Sequence, residues 1–362
     1  MHAIIINNVF QKIIDKFTFF LRNTFSRPRE VTIEVTDRCN LDCPFCFNKL
    51  FAKDIKKTRE LDYYCIKDII DNISGFGIER IRFSGGEPLL REDIYDLMTY
   101  AKSKGLKIWL NTNATLIDEQ KALKLSKLVD NVLIPLNSFD LFTEFLVTKN
   151  YLFESKLYGI KLLKEANIEV IRVGTVATKL NIQNLEIIHE LVERLKINHW
   201  QLFRPIPAKD DLFPINNEDV AILVDKLLNI NKKENKDYKI FNAIPFCAYE
   251  PEKMIKIAVG GKYDDGHTRL IIDSQGKVKP MYYLDEAIGD ILISKDIKKY
   301  WNNEFMTHMR NLAFAPLACK KCKYLAICLG GSRAISKLIS KTYTDFDYLA
   351  QPLKYERQLF NG

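Results

Sequence analysis

From Val31 onward, short β-rich runs alternate with helix-length amphipathic stretches, and this rhythm restricts the fold more than any other feature of the chain. Candidate strands are Val31–Thr36, Arg80–Phe83, Lys107–Asn111, Asn131–Leu136, Glu169–Ala177 and His199–Phe203. Helices are expected between them near 58–74, 91–103, 117–128, 152–166 and 184–196. Each helix carries the chain back to begin the next strand in the same direction, so the repeat builds a parallel sheet. The expected fold is α/β, a partial (β/α)6 barrel of TIM type, with its chemistry at the C-terminal ends of the strands. Pro205, Pro207 and Pro214 then break the rhythm, a helix is expected near 217–231, and the charged run 232–239 follows. The 362 residues accommodate a barrel over 29–236 and a smaller α+β unit over 237–362.

Residues 1–28 read as a separate arm. Ile5, Val9, Ile13, Phe17, Phe20 and Leu21 recur at helical spacing, with Lys12, Lys16 and Arg22 elsewhere on the turn. Two readings stay open: a helix packed on the barrel, or one lying on the inner face of a membrane through residues 1–25. It carries too many charges to span a bilayer. No secretory pattern is present, so a cytoplasmic location is expected. The formal charge is +8, but lysines such as Lys121, Lys124 and Lys161 are scattered along expected helices. No basic stretch is interleaved with stacking aromatics, and nucleic acid is not an expected partner.

The eight cysteines carry the functional signal: Cys39, Cys43 and Cys46 form one group, Cys319, Cys322 and Cys328 another, and Cys65 and Cys247 stand alone. Clustered thiols in an intracellular chain point to metal rather than disulfides. Spacings of three and two residues let Cys39, Cys43 and Cys46 converge from one loop. Complete iron–sulfur and structural zinc sites take four protein ligands, so three leave a position open to a substrate. A zinc knuckle with a distant fourth ligand is the other reading. The second strand runs into Ser84-Gly85-Gly86-Glu87-Pro88, where glycines allow close approach to a ligand and the Glu can accept from an ammonium group. The third ends Asn111-Thr112-Asn113, followed by Ala114, and the fourth runs Ile134-Pro135-Leu136-Asn137-Ser138. Cys65, beside Ile66 and Ile69, reads as a core residue. Asp264, Asp265 and His267 follow two glycines and read either as substrate-facing or as a turn.

The Cys-x3-Cys-x2-Cys loop with Phe45 before its last thiol, the Gly-Gly-Glu turn and the Asn-Thr-Asn strand end together resemble the radical S-adenosylmethionine (SAM) superfamily. The resemblance implies a [4Fe-4S] cluster on Cys39, Cys43 and Cys46 whose open iron chelates SAM. Reductive cleavage of SAM then yields a 5′-deoxyadenosyl radical that abstracts a hydrogen atom. It further implies that Phe45, Ser84, Gly85, Gly86 and Glu87 flank SAM, the turn facing its amino group. Asn111 and Asn113 would stand near the ribose, and Asn137 and Ser138 would bond its hydroxyls. Arg204 reads either as a pocket residue steering a carboxylate or as a surface arginine, and Thr175, Asn181 and Gln201 are further strand-end candidates.

Cys319-x2-Cys322-x5-Cys328, followed by Gly330-Gly331-Ser332, resembles the SPASM/twitch extension of that superfamily. Met281 and Ser332 stand where relatives carry thiols, which implies one auxiliary Fe-S cluster rather than two. Its fourth ligand is Cys247, a carboxylate such as Asp345 or Asp347, or a substrate group; structural zinc is the alternative. The resemblance implies modification of a peptide or protein. A lipid, sugar or cofactor precursor at a membrane surface is the alternative small-molecule substrate, and a non-catalytic zinc-binding interaction protein is the rival class. The basic surface suits an acidic flavodoxin or ferredoxin as reductant.

Overall fold

The computed structural model describes residues 26–48, 60–197, 199–207, 213–263, 266–282, 284 and 286–360. Most of the expected N-terminal arm, together with Asp264 and Asp265, lies outside the described residues.

Strands β1 (Glu30–Glu34), β2 (Arg80–Ser84), β3 (Lys107–Asn111), β4 (Asn131–Pro135), β5 (Val170–Val176) and β6 (His199–Phe203) stand side by side in chain order, all parallel. The crossovers carry α1 (Tyr63–Gly75), α2 (Ile94–Ser103), α3 (Glu119–Leu128), α5 (Phe153–Glu165) and α6 (Leu185–Arg194). An additional helix, α4 (Leu141–Thr148), follows β4 at once; Asp140 caps it by accepting from the Thr143 N–H. This is the partial barrel of the sequence expectation, extended at both edges. β7 (Lys239–Ile240) adds parallel to β6. At the other edge β8 (Arg269–Ile272) adds parallel to β1, followed by antiparallel β9 (Lys277–Lys279) and β10 (Gly289–Asp290). Residue 236, the expected boundary, falls between α7 (Asn217–Glu234) and β7, so one sheet runs through it.

The strands are amphipathic in a particular sense. β1 reads Glu-Val-Thr-Ile-Glu, β2 Arg-Ile-Arg-Phe-Ser and β3 Lys-Ile-Trp-Leu-Asn. Successive side chains point to opposite faces. Val31, Ile33, Ile81, Phe83, Ile108 and Leu110 are fully buried in one core with Ile66, Ile70 and Leu97 of the helices. The alternate residues, polar apart from Trp109, line the bore.

Helix α5 seats tightly on the turn that follows β3. Ala114 holds a left-handed φ of 63° in that turn, and a Cβ on Gly159 would stand 2.1 Å from the Ala114 carbonyl oxygen. Helix propensity alone would make Gly159→Ala stabilising by about 1 kcal/mol. The contact reverses the sign: Gly159→Ala is expected to lower the thermal unfolding midpoint, at an overpacking cost of about 2 kcal/mol.

Candidate active site

The loop bearing Cys39, Cys43 and Cys46 leaves the C-terminal end of β1 and is tied to its neighbours by named bonds. Gly86 N donates to Thr36 O at 2.7 Å and Glu87 N to Arg38 O at 2.8 Å. Asn40 accepts from Asn113 Nδ2 and donates to Thr115 Oγ1, both at 2.8 Å, and Asn150 Nδ2 reaches Asn40 O. Asp42 N donates to Thr148 O at the end of α4. The thiols are thus set over the mouth of the bore, with Asn113 Nδ2 4.0 Å from Cys39 Sγ. Burial pushes the Cys43 thiol up to about 12; neighbouring Cys46 and Cys39 push the same way and Lys156 opposes. Three thiols from one loop suit an iron–sulfur cluster, whose iron charge would stabilise the thiolates that burial disfavours.

The Gly-Gly-Glu turn is built differently from the sequence expectation. A Cβ on Gly85 would meet Thr36 O at 2.3 Å, and one on Gly86 would meet Arg38 O at 2.1 Å. The glycines therefore allow close approach to the segment entering the cysteine loop, where a ligand was expected. The Glu87 carboxylate, read as an acceptor for an ammonium group, is met by protein donors. It is fully buried, with Oε1 accepting from Thr112 Oγ1 at 2.7 Å and Leu89 N at 3.1 Å, and Oε2 accepting from Asn113 N at 2.7 Å. Burial raises its pKa, while these donors pull the other way.

The remaining candidates divide. Ser138 is fully buried and its hydroxyl donates to Glu144, which also pairs with buried Lys156, so it is not placed to bond a ribose. Asn137 accepts from Val176 N through Oδ1, which leaves its amide N–H groups for a ligand. Asn111 accepts from Arg82 and donates to Ser84 Oγ, joining both to the wall of the bore. Phe45 packs on Phe213, ring centres 5.2 Å apart. Thr175 donates to Leu136 O, Asn181 donates to Asn137 O and Gln201 accepts from Arg172. Arg204 is neither a surface residue nor turned to a ligand carboxylate. It is buried and bidentate on Asp347, Nη1–Oδ1 2.8 Å and Nη2–Oδ2 2.5 Å. Asp347 also accepts from Ser332 N, so the carboxylate considered as a cluster ligand is committed elsewhere. The Glu144–Lys156 pair lies twelve residues apart on different helices and was missed; α4 gave no signal because its apolar run is short.

The second thiol group gathers all four of its candidates. Cys247, Cys319, Cys322 and Cys328 line one cavity with Pro245, Phe246 and Tyr324. Among the described residues no three His, Cys, Asp or Glu side chains stand close enough to hold a single ion, so these thiols border a shared space rather than meet at a point. Burial pushes Cys319 up to about 12 and raises Cys247 and Cys328. Backbone N–H groups of Phe246, Gly330 and Gly331 face Cys328, the donors a cluster sulfur needs. At the two positions where the SPASM/twitch resemblance implies further thiols, Met281 packs with Leu284, Met309 and Ala334 in a small apolar core, and Ser332 caps the next helix through Ile335 N. Cys65 is half-buried against the main core, and buried His267 is pushed down to about 4 by burial and Arg310.

Residues 33–195 match the family model described as the Radical SAM superfamily. These residues form a radical SAM domain. The chain is similar to an AdoMet-dependent heme synthase of Oleidesulfovibrio alaskensis, 27% identical over 84% of this chain and 82% of the relative. It is also similar to a PqqA peptide cyclase of Bradyrhizobium diazoefficiens, 25% identical over 86% and 82%. Among solved structures, SuiB of Streptococcus suis bound to S-adenosylmethionine superposes with a TM-score of 0.72 at 19% identity, over 94% of this chain and 81% of that one. That likeness establishes the fold. The family uses a [4Fe-4S] cluster and SAM. Among the described residues no helix is long and apolar enough to cross a membrane.

The buried Glu87 carboxylate makes a sharp prediction for this radical SAM domain. Glu87→Ala leaves Thr112 Oγ1 and Asn113 N without their acceptor and is expected to cost about 3 kcal/mol. Glu87→Gln keeps the shape and one acceptor and should cost less. Denaturant unfolding measures both, and iron content after anaerobic reconstitution should fall in the same order.

Proposed function

We propose that Cys39, Cys43 and Cys46 hold the SAM-binding [4Fe-4S] cluster at the mouth of the bore, and that the substrate lies in the bore beneath it. The observation that carries this reading is the bonding of the cysteine loop to both neighbouring strand ends, through Gly86, Glu87 and Asn113. When bound, the cluster supplies the electron that cleaves SAM to the 5′-deoxyadenosyl radical, which takes a hydrogen atom from the substrate. The protein's part is positional. Glu87 fixes the ends of β2 and β3, Asn40 fixes the loop against Asn113, and Asn137 offers amide donors at the end of β4. Cys247, Cys319, Cys322 and Cys328 would hold one auxiliary cluster. Four protein thiols leave that cluster no open position, which suits electron transfer rather than substrate ligation.

Two substrate classes have support. Similarity to a PqqA peptide cyclase favours a peptide or protein. Similarity to an AdoMet-dependent heme synthase favours a small molecule, and the charged lining of the bore favours it further.

Anaerobically reconstituted protein should be brown and, with dithionite and SAM, should release 5′-deoxyadenosine. Cys43→Ala should lose about half of the iron and sulfide and all SAM cleavage. Cys247→Ala should lose the other half, leaving the signal of the first cluster in electron paramagnetic resonance. A colourless protein that binds zinc in place of iron overturns the reading.

A further inference from the structure

Among the described residues, the bore holds more positive charge than its own carboxylates balance. The guanidinium carbons of Arg80, Arg82 and Arg172 each lie 4.6 Å from the centre of the Trp109 ring. Glu30 is the carboxylate whose field reaches both Arg80 and Arg172. Its oxygens are already engaged by Arg82, through Nε and Nη2, both at 2.8 Å. Arg269 on β8 adds a fourth guanidinium to the same field.

Arg172 is the telling member. Its Nε and Nη1 reach neutral amide oxygens, Asn131 Oδ1 at 2.6 Å and Gln201 Oε1 at 3.1 Å. Its Nη2 is buried with no hydrogen-bond partner among the described residues. A buried donor on a charged group is costly unless something accepts from it. Stacking on Trp109 offers the guanidinium groups an attractive π face but cancels none of their charge. Glu34, nearer the mouth, does not restore the balance, because burial pushes it up to about 8 and leaves it largely protonated at pH 7.

The placement suits a substrate. Arg82 and Arg80 precede Ser84 by two and four residues on the same face of β2, hence about 7 and 13 Å below the strand end. An anionic group seated there would hold the rest of a compact molecule up toward the mouth.

We propose that the bore is an anion site that seats the carboxylate or phosphate end of a compact substrate bearing at least two negative charges. The occupant's identity as substrate rests on the radical SAM reading above; the anion site itself does not. Guanidinium forks match carboxylate and phosphate oxygens bidentately, so the two sources share one chemistry.

The test uses the full chain, reconstituted anaerobically in low-salt buffer and titrated calorimetrically with citrate and with pyrophosphate. Saturable binding of at least one is expected, and which one binds separates carboxylate from phosphate. Affinity should fall at least tenfold in Arg172→Gln and in Arg80→Gln, and should hold in Arg194→Gln, an exposed arginine of α6. Arg80 is only partly buried, so its variant tests the site even where Arg172→Gln fails to fold. Absence of saturable binding, or equal weakening in all three variants, overturns the proposal. Formation of 5′-deoxyadenosine by the same wild-type preparation is scored separately. SAM cleavage without anion binding removes the site and spares the radical reading; anion binding without SAM cleavage does the reverse.

Discussion

The carboxylate of Glu87 is the joint on which the reactive end of the barrel depends. It receives a hydroxyl and two backbone N–H groups from two strand ends while excluded from solvent. A buried carboxylate tolerates no missing donor, so these bonds hold the turn after β2 and the turn after β3 in one arrangement. The cysteine loop inherits that arrangement because its entry, Thr36 to Arg38, is hydrogen-bonded to the same turn. Gly85 and Gly86 are required by the closeness of this suture. The site is rigid because three consecutive βα loops share their polar groups.

Much of this was legible in the sequence, and the failures have physical causes. Strand order and strand ends followed from the alternation of β-rich and helical runs, since short parallel units leave few alternatives. The cysteine groups were legible from spacing. The direction of Glu87 was not, because a motif states which residue follows two glycines and not which donors reach it first. Arg204 was read either as a pocket residue or as a surface arginine and is neither; its partner Asp347 lies 143 positions away, beyond the reach of any local pattern. The bore was written plainly in Arg-Ile-Arg-Phe-Ser and Lys-Ile-Trp-Leu-Asn, yet parallel strands covered on both faces are normally apolar throughout. Charged residues at alternate positions of such strands are the signal that one face lines a polar space.

Cys247 illustrates a different limit. Along the chain it stands alone, one of several candidates for a fourth ligand. In the fold it borders the cavity of Cys319, Cys322 and Cys328. At Met281, where the resemblance implies a thiol, the space is filled by apolar packing with Leu284, Met309 and Ala334. Side chains of suitable volume there keep the C-terminal region compact.

The Arg204–Asp347 pair then gives the two thiol regions a common frame. Arg204 follows β6 at the mouth of the barrel, and its backbone is bonded in both directions to the Asn242 side chain, just past β7. Asp347 accepts from Ser332 N, in the turn that carries Gly330 and Gly331 behind Cys328. A buried ion pair contributes little net stability against an apolar replacement, because both charges must be desolvated. Its effect here is geometric: two guanidinium bonds fix orientation as well as distance, and breaking either partner would leave an uncompensated charge. The pair therefore sets how the auxiliary thiols sit relative to the barrel mouth, and the separation and orientation of two redox centres govern any electron passed between them.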